Sequence, residues 1–171
     1  MDRPRDRMTA DITVRARQFA TEKHASQRYG DKPYTVHLAA VREVLRGIGI
    51  EDDDALAAAA WLHDVVEDTG TPREEVAARF GEHVASLVWA VTGVGSSRKE
   101  RNADAYAKIR AFPEAATLKL ADRIANVEAS ARAPDKLAMY RREHPGFEAA
   151  LAGLGTPALW GRLRAALSVT P

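Results

Sequence analysis

The sequence predicts an all-α, single-domain fold, and three observations carry that expectation. Apolar residues recur at helical spacing through most of the chain. No segment shows the apolar–polar alternation of a half-buried strand. Alanine, the strongest helix former, is abundant, and helix-start patterns punctuate the periodic stretches. With 171 residues, 46% of them hydrophobic, the chain suits one domain with a substantial core.

Each element follows from local chemistry. Residues 1–9 are charged and lack periodicity, and read as a flexible N-terminal tail. A first helix is expected over about Ala10 to Gln27, ending in the polar loop Arg28 to Lys32 before Pro33-Tyr34. A second runs from about Val36 to Gly47, and a third from about Asp53 to Glu67. Thr71-Pro72-Arg73-Glu74 has the spacing of a capping box with proline at the first helical position, so a helix should start there and end at Phe80-Gly81. Glu82 to Val91 is the next, closed by Thr92-Gly93-Val94-Gly95. Ser97-Arg98-Lys99-Glu100 is a second capping box, opening a helix toward Ala111. Glu114 to Ala131 reads as one long helix, Pro134 or Asp135 starts another toward Glu143, and Thr156-Pro157 caps the last.

Composition removes several classes of function. The formal net charge of +1 gives no global polyanion-binding signal, and no basic recognition helix stands out, so no nucleic-acid partner is expected. No apolar run is long enough for an ordinary transmembrane helix, so no membrane partner is expected either. The charged N-terminus has no apolar stretch behind it, unlike a secretory signal, and a cytoplasmic protein is the expectation. There is no cysteine, so any bound metal must sit on nitrogen and oxygen ligands.

The chemistry concentrates in His63-Asp64-Val65-Val66-Glu67-Asp68-Thr69, behind the apolar run Ala57 to Leu62. On one continuous helix, at about 100° per residue, His63, Asp64, Glu67 and Asp68 would share one side. Three carboxylates and an imidazole pointing one way are costly unless compensated, and a divalent cation is the natural compensator. Two further stretches matter. His37 sits just inside a helix start, and Lys119, Asp122 and Asn126 fall within about 60° of one another on their helix. His37, His63, Asp64 and Asp122 together make a mixed nitrogen–oxygen set suited to one divalent ion such as Mn²⁺, Fe²⁺ or Mg²⁺, with positions left for water. His24 is expected to pack or support, His83 and His144 to lie on the surface, and Trp61, Trp89 and Trp160 to lie in the core.

The order histidine, histidine-aspartate, aspartate is that of the HD superfamily of metal-dependent phosphohydrolases. The likeness sharpens over Phe19-Ala20 to Lys23-His24, Pro33 to His37, Leu62 to Thr69, Phe80 to Val84 and Lys119 to Asp122. These stretches resemble the hydrolase domain of RelA/SpoT-type alarmone enzymes, and within it the stand-alone small alarmone hydrolases and metazoan SpoT homologues. The resemblance spans roughly residues 10–130 and implies an all-α HD-domain phosphohydrolase fold, its domain expected over residues 10–171, and Mn²⁺-dependent removal of pyrophosphate from the 3′ position of ppGpp. It implies His37, His63, Asp64 and Asp122 as metal ligands, and Glu67 and Asp68 as the acidic pair serving the attacking water. It places Lys23 and Asn126 at nucleotide-contacting positions, and Arg98 in a basic stretch that meets phosphates. Two positions depart from the family pattern: Leu38 stands where proline is common, and Glu22 where a basic residue is common. If Glu22 faced the pocket, it would oppose a 5′-diphosphate. A phosphohydrolase for a different nucleotide and a non-catalytic nucleotide sensor are the alternatives. A sensor has no need of Glu67 and Asp68.

Overall fold

The structure is a computed structural model that describes residues 5–52 and 54–170, with side chains from residue 12 onward. The expected tail falls partly outside this range, and the first helix, α1, spans Arg5–Lys23. There follow β1 (Arg28–Tyr29), β2 (Lys32–Pro33), α2 (Thr35–Arg46), α3 (Ala55–Leu62), α4 (Val65–Thr69), α5 (Arg73–Phe80) and α6 (Glu82–Val91). The chain continues through α7 (Arg98–Ala111), α8 (Ala115–Ala129), α9 (Pro134–Ala150) and α10 (Pro157–Leu167). The fold is all-α, as the periodicity predicts. The loop after α1 tightens into a minimal antiparallel hairpin pairing Arg28 with Pro33 and Tyr29 with Lys32. Gly30, at φ 64°, supplies its left-handed turn residue. Among the described residues, no helix is long and apolar enough to cross a membrane.

Two helices form the centre. In α3 every residue from Leu56 to Leu62 is buried, and the small side chains of Ala57 to Ala60 let α1, α2, α6 and α8 approach closely. In α8, Leu118, Leu120, Ala121, Ile124, Ala125 and Val127 are buried against neighbours that include α2 and α10. Each fully buried leucine contributes about 1.5–3 kcal/mol. Buried Arg42 on α2 ties the next loop down. Its Nη2 donates to Asp52 Oδ1 at 2.7 Å and to the Ile50 carbonyl at 2.9 Å, while Thr13 on α1 donates to the Asp52 carbonyl.

Several expectations need correction. The helix expected over Asp53 to Glu67 is broken at His63-Asp64, where His63 ends α3 and Asp64 precedes α4. Asp54 caps α3 by accepting from the Leu56 amide at 2.8 Å, and Gly70 at φ 69° ends α4. The Thr71 capping box does not form. Pro72 is the residue before α5, and buried Thr71 shares a 2.7 Å hydroxyl hydrogen bond with Thr69. At the second box, Ser97 does accept from the Glu100 amide at 3.1 Å, but the Glu100 carboxylate reaches back to Ser96. The helix expected to stop near Glu143 runs through Pro145 to Ala150. Trp89 is 37% exposed rather than core, with the Lys108 ammonium 4.0 Å from its ring centroid; Trp61 and Trp160 are buried as expected.

Candidate active site

The break after α3 turns His63 and Asp64 toward the first turn of α2 and the middle of α8. His37 Nε2 lies 3.3 Å from His63 Nε2, 3.6 Å from Asp64 Oδ2 and 3.2 Å from Asp122 Oδ1. His63 Nε2 lies 2.9 Å from Asp64 Oδ2 and 3.5 Å from Asp122 Oδ1. These separations bracket the roughly 3 Å edges of ligands about 2.1 Å from a shared ion. Both histidines are buried. The Nδ1 of His63 donates to the Ala60 carbonyl at 2.8 Å, which leaves the Nε2 lone pair facing the cluster. The His37 ring stacks on Tyr29 with centroids 5.0 Å apart.

The surroundings hold the carboxylates in place and ionised. Asp64 Oδ2 accepts from the Tyr34 hydroxyl at 2.6 Å. Asp122 accepts from Lys119 Nζ at 3.0 Å and from Asn126 Nδ2 at 2.8 Å, and Asn126 Oδ1 accepts from the Tyr29 hydroxyl at 2.9 Å. Burial works against the Asp64 charge, yet the neighbouring His63 imidazole holds its carboxyl down at about 2. Burial likewise opposes Asp122, but Lys119 and the two imidazoles hold its carboxyl well below the usual range. For His63, burial disfavours the cationic ring, while Asp64 and Asp122 raise its proton affinity well above the ordinary histidine range. A field that draws a proton to this point draws a metal cation to the same lone pairs. The ligand atoms of His37, His63 and Asp64 all lie within 4.8 Å of one another, a set that fits one divalent ion, with Asp122 Oδ1 beside both imidazoles.

The acidic pair takes up different surroundings. Glu67 Oε1 accepts from the Gly93 amide at 2.6 Å, and Asp68 Oδ2 accepts from Gln27 Nε2 at 3.0 Å. Burial, then the Asp64 charge, pushes both carboxyls above their ordinary range; the Gly93 and Gln27 hydrogen bonds offset part of that. Gln27 is itself held by buried His24, whose Nδ1 lies 2.7 Å from Gln27 Oε1, so His24 has the supporting place expected of it. His83 is exposed, and His144 is partly covered beside Glu148.

A polar cavity of about 240 Å³ opens onto the cluster. His37, Asp64, Glu67, Asp68 and Asp122 are among the residues that line it, together with Arg98, Arg101 and Asn102 of α7, Lys119, Arg123 and Asn126 of α8, and Tyr140 of α9. Of the expected nucleotide contacts, Arg98 and Asn126 thus reach the cavity. Lys23 does not line it. Its Nζ lies 3.6 Å from Glu75 and 5.1 Å from the Phe19 ring centroid. Glu22 lines a separate groove beside Gln18 and Arg79, so the idea that it faces the pocket is corrected.

Gln27, Tyr29, Tyr34, Gly93 and Arg123 are not singled out by the sequence; Glu143 closes the stretch Met139 to Glu143, which reads as a candidate pocket wall. Tyr34 and Arg123 stand beside motif residues, which is the only local signal they give. In the sequence, Gly93 reads as a helix stop. A Cβ there would lie 2.6 Å from the Arg101 carbonyl oxygen, so glycine is what lets the loop bring its amide to Glu67.

A family model described as the HD domain matches residues 16–153. The guanosine-3′,5′-bis(diphosphate) 3′-pyrophosphohydrolase of Aquifex aeolicus is 41% identical over 125 residues, covering 70% of this chain and 18% of that protein. The enzyme of the same name, MESH1, from Xenopus tropicalis is 42% identical over 86 residues, 48% of each chain. The chain thus spans less than half the length of these curated relatives. A solved structure described as a metazoan ortholog of SpoT that hydrolyzes ppGpp superposes with a TM-score of 0.77 at 28% identity, covering 91% of this chain and 93% of that one. The protein lmo0812 of Listeria monocytogenes EGD-e superposes with a TM-score of 0.61 at 26% identity, over 76% and 95%. With the family match running through all four converging donors, this chain belongs to the HD domain family.

Proposed function

We propose that this protein is a metal-dependent phosphohydrolase that removes pyrophosphate from the 3′ position of ppGpp-like nucleotides. The observation that carries the reading is the convergence of His37, His63, Asp64 and Asp122 beside Glu67 and Asp68 at a cavity with a basic wall. The names of the relatives support the substrate class. The reading takes Mn²⁺ as the ion and the cytoplasm as the setting.

In this assignment His37, His63, Asp64 and Asp122 hold the ion, which when bound lowers the pKa of water and offsets phosphate charge. Tyr34 and Lys119 fix the two aspartates by hydrogen bonds. Glu67 or Asp68 accepts the proton of the attacking water; their raised proton affinity suits a general base working near neutral pH. Water oxygen bonds to the 3′ phosphorus, the bond from that phosphorus to the 3′ oxygen breaks, and that oxygen leaves protonated. The products are pyrophosphate and a nucleotide with a free 3′ hydroxyl. Arg98, Arg101 and Asn126 contact the nucleotide.

The test is hydrolysis of ppGpp by purified protein with Mn²⁺, alongside guanine and adenine nucleotides with and without 3′-pyrophosphate. Release of pyrophosphate and guanosine 5′-diphosphate is expected. Turnover only of nucleotides lacking a 3′-pyrophosphate would reassign the substrate, and tight nucleotide binding without turnover would favour a sensor.

A further inference from the structure

Arg98 and Arg123 both line the cavity, and one carboxylate behind them holds both. Arg98 donates to Glu143 through Nε at 2.6 Å and Nη2 at 3.1 Å, and Arg123 Nη1 donates to Glu143 Oε2 at 2.7 Å. The two guanidiniums lie 5.8 and 5.0 Å from the centroid of Tyr140. Exposure separates their roles. The Arg123 side chain is 6% exposed and also donates to the Tyr106 hydroxyl at 3.2 Å, so its pair with Glu143 belongs to the packed wall. The Arg98 side chain is 47% exposed, so far less packing holds it in place. The Nε–Nη2 edge it spends on Glu143 is a planar fork that could otherwise grip phosphate. Lys119 is likewise committed, to Asp122. Arg101 also lines the cavity.

We propose that Glu143 is a specificity-determining residue that meters phosphate charge. It parks Arg98, so that each additional phosphate on the nucleotide arm away from the 3′ centre must compete with a carboxylate for that guanidinium. When a phosphate takes Arg98, Arg123 keeps Glu143 paired, so the exchange strands no buried charge. The inference rests on the proposed nucleotide substrate, and it relocates charge selectivity from Glu22 to α9.

The test is binding of guanosine 5′-mono-, di- and triphosphate by calorimetry, with chelator present so that the phosphates report on the wall alone. For wild type the affinity gradient from mono- to triphosphate should be shallow, about threefold or less. Glu143→Gln should tighten the triphosphate by about tenfold and the monophosphate far less, the gain of a charge-assisted fork. In an Arg98→Ala background the same substitution should leave the gradient shallow, a readout that a merely structural role for Glu143 would not produce. If Glu143→Gln fails to fold, as judged by circular dichroism, Glu143→Asp serves: one methylene shorter, it cannot span both guanidiniums and should steepen the gradient several-fold. A folded Glu143→Gln or Glu143→Asp protein with the wild-type gradient overturns the proposal, as does a gain that persists without Arg98. Failure of the substrate reading would show separately, as absent hydrolysis of every 3′-pyrophosphorylated nucleotide.

Discussion

His63 sits where two demands meet, the end of a core helix and one of the two imidazoles of the cluster. Its Nδ1 bond to Ala60 orients the ring, and its Nε2 faces His37, Asp64 and Asp122. His63→Ala and Asp122→Ala should each abolish stoichiometric Mn²⁺ binding in calorimetry while leaving helix content by circular dichroism nearly unchanged. Full occupancy in both variants would remove these residues from the ligand set. If Glu67 is the member of the acidic pair that takes the water's proton, Glu67→Gln should keep the metal and lose turnover by about 10²-fold or more. A Glu67→Gln, Asp68→Asn protein with wild-type kcat would refute that role. Lys23→Ala separates placement from resemblance. Paired with Glu75 away from the cavity wall, Lys23 should leave KM unchanged within about twofold, whereas a nucleotide contact would raise KM more than it lowers kcat. The four donors and the acidic pair were legible because they lie in short motifs. Gln27 and Tyr34 were not, because their importance comes from chain segments that meet only in three dimensions.

Helices were legible where apolar periodicity was clear, as in α2, α6 and α8, and where a side-chain cap marks the start, as with Ser97 at α7. The failure at α3 is instructive. The run through Leu62-His63-Asp64-Val65 looks like uninterrupted helix, but the break is imposed by where the side chains must converge, and no propensity encodes that. The loop between α6 and α7 shows the same thing on a smaller scale, since Gly93 is needed for contact with Arg101 rather than for stopping α6. Gly93→Ala should push the loop outward, lower the melting temperature by the equivalent of about 1–3 kcal/mol and reduce kcat with metal binding retained. An active, equally stable Gly93→Ala protein would show that the Glu67–Gly93 hydrogen bond is dispensable. The loop between α2 and α3 carries a pH signature. The hydrogen bond from Arg42 holds the Asp52 carboxyl below its ordinary value; burial opposes it, and the charges of Arg42 and Arg46 add to the lowering. A depressed folded value contributes stability above the ordinary carboxylate range and loses it as the pH falls through the lower folded value. Wild type should therefore lose stability more steeply than Asp52→Asn as the pH is lowered below about 4, measured by denaturant midpoints. Parallel profiles would show that the ion pair contributes nothing.

In the whole molecule the two central helices of the core also carry two members of the cluster. α3 ends in His63, and α8 carries Asp122 between the buried Leu120 and Ile124. A metal ion held across α2, the α3–α4 break and α8 would cross-link the centre of the fold, so binding and stability are linked. Occupancy at about 100 times the dissociation constant adds about 2.7 kcal/mol to unfolding. Mn²⁺ should raise the melting temperature by several degrees, and chelator should reverse it. Two variants separate this linkage from general stability. Leu120→Ala removes a fully buried side chain, at a cost of about 2–5 kcal/mol, but leaves the donors in place. It should melt lower yet keep most of the Mn²⁺-induced increment. His37→Ala removes a donor and, with it, the ring stacked on Tyr29, so it should abolish the increment whatever happens to the baseline. A wild-type increment surviving in His37→Ala would mean that the ion acts elsewhere on the molecule. Loss of the increment in Leu120→Ala, with the variant still folded, would mean that the donors depend on the α8 core more tightly than their own hydrogen bonds to Tyr34, Lys119 and Asn126 suggest.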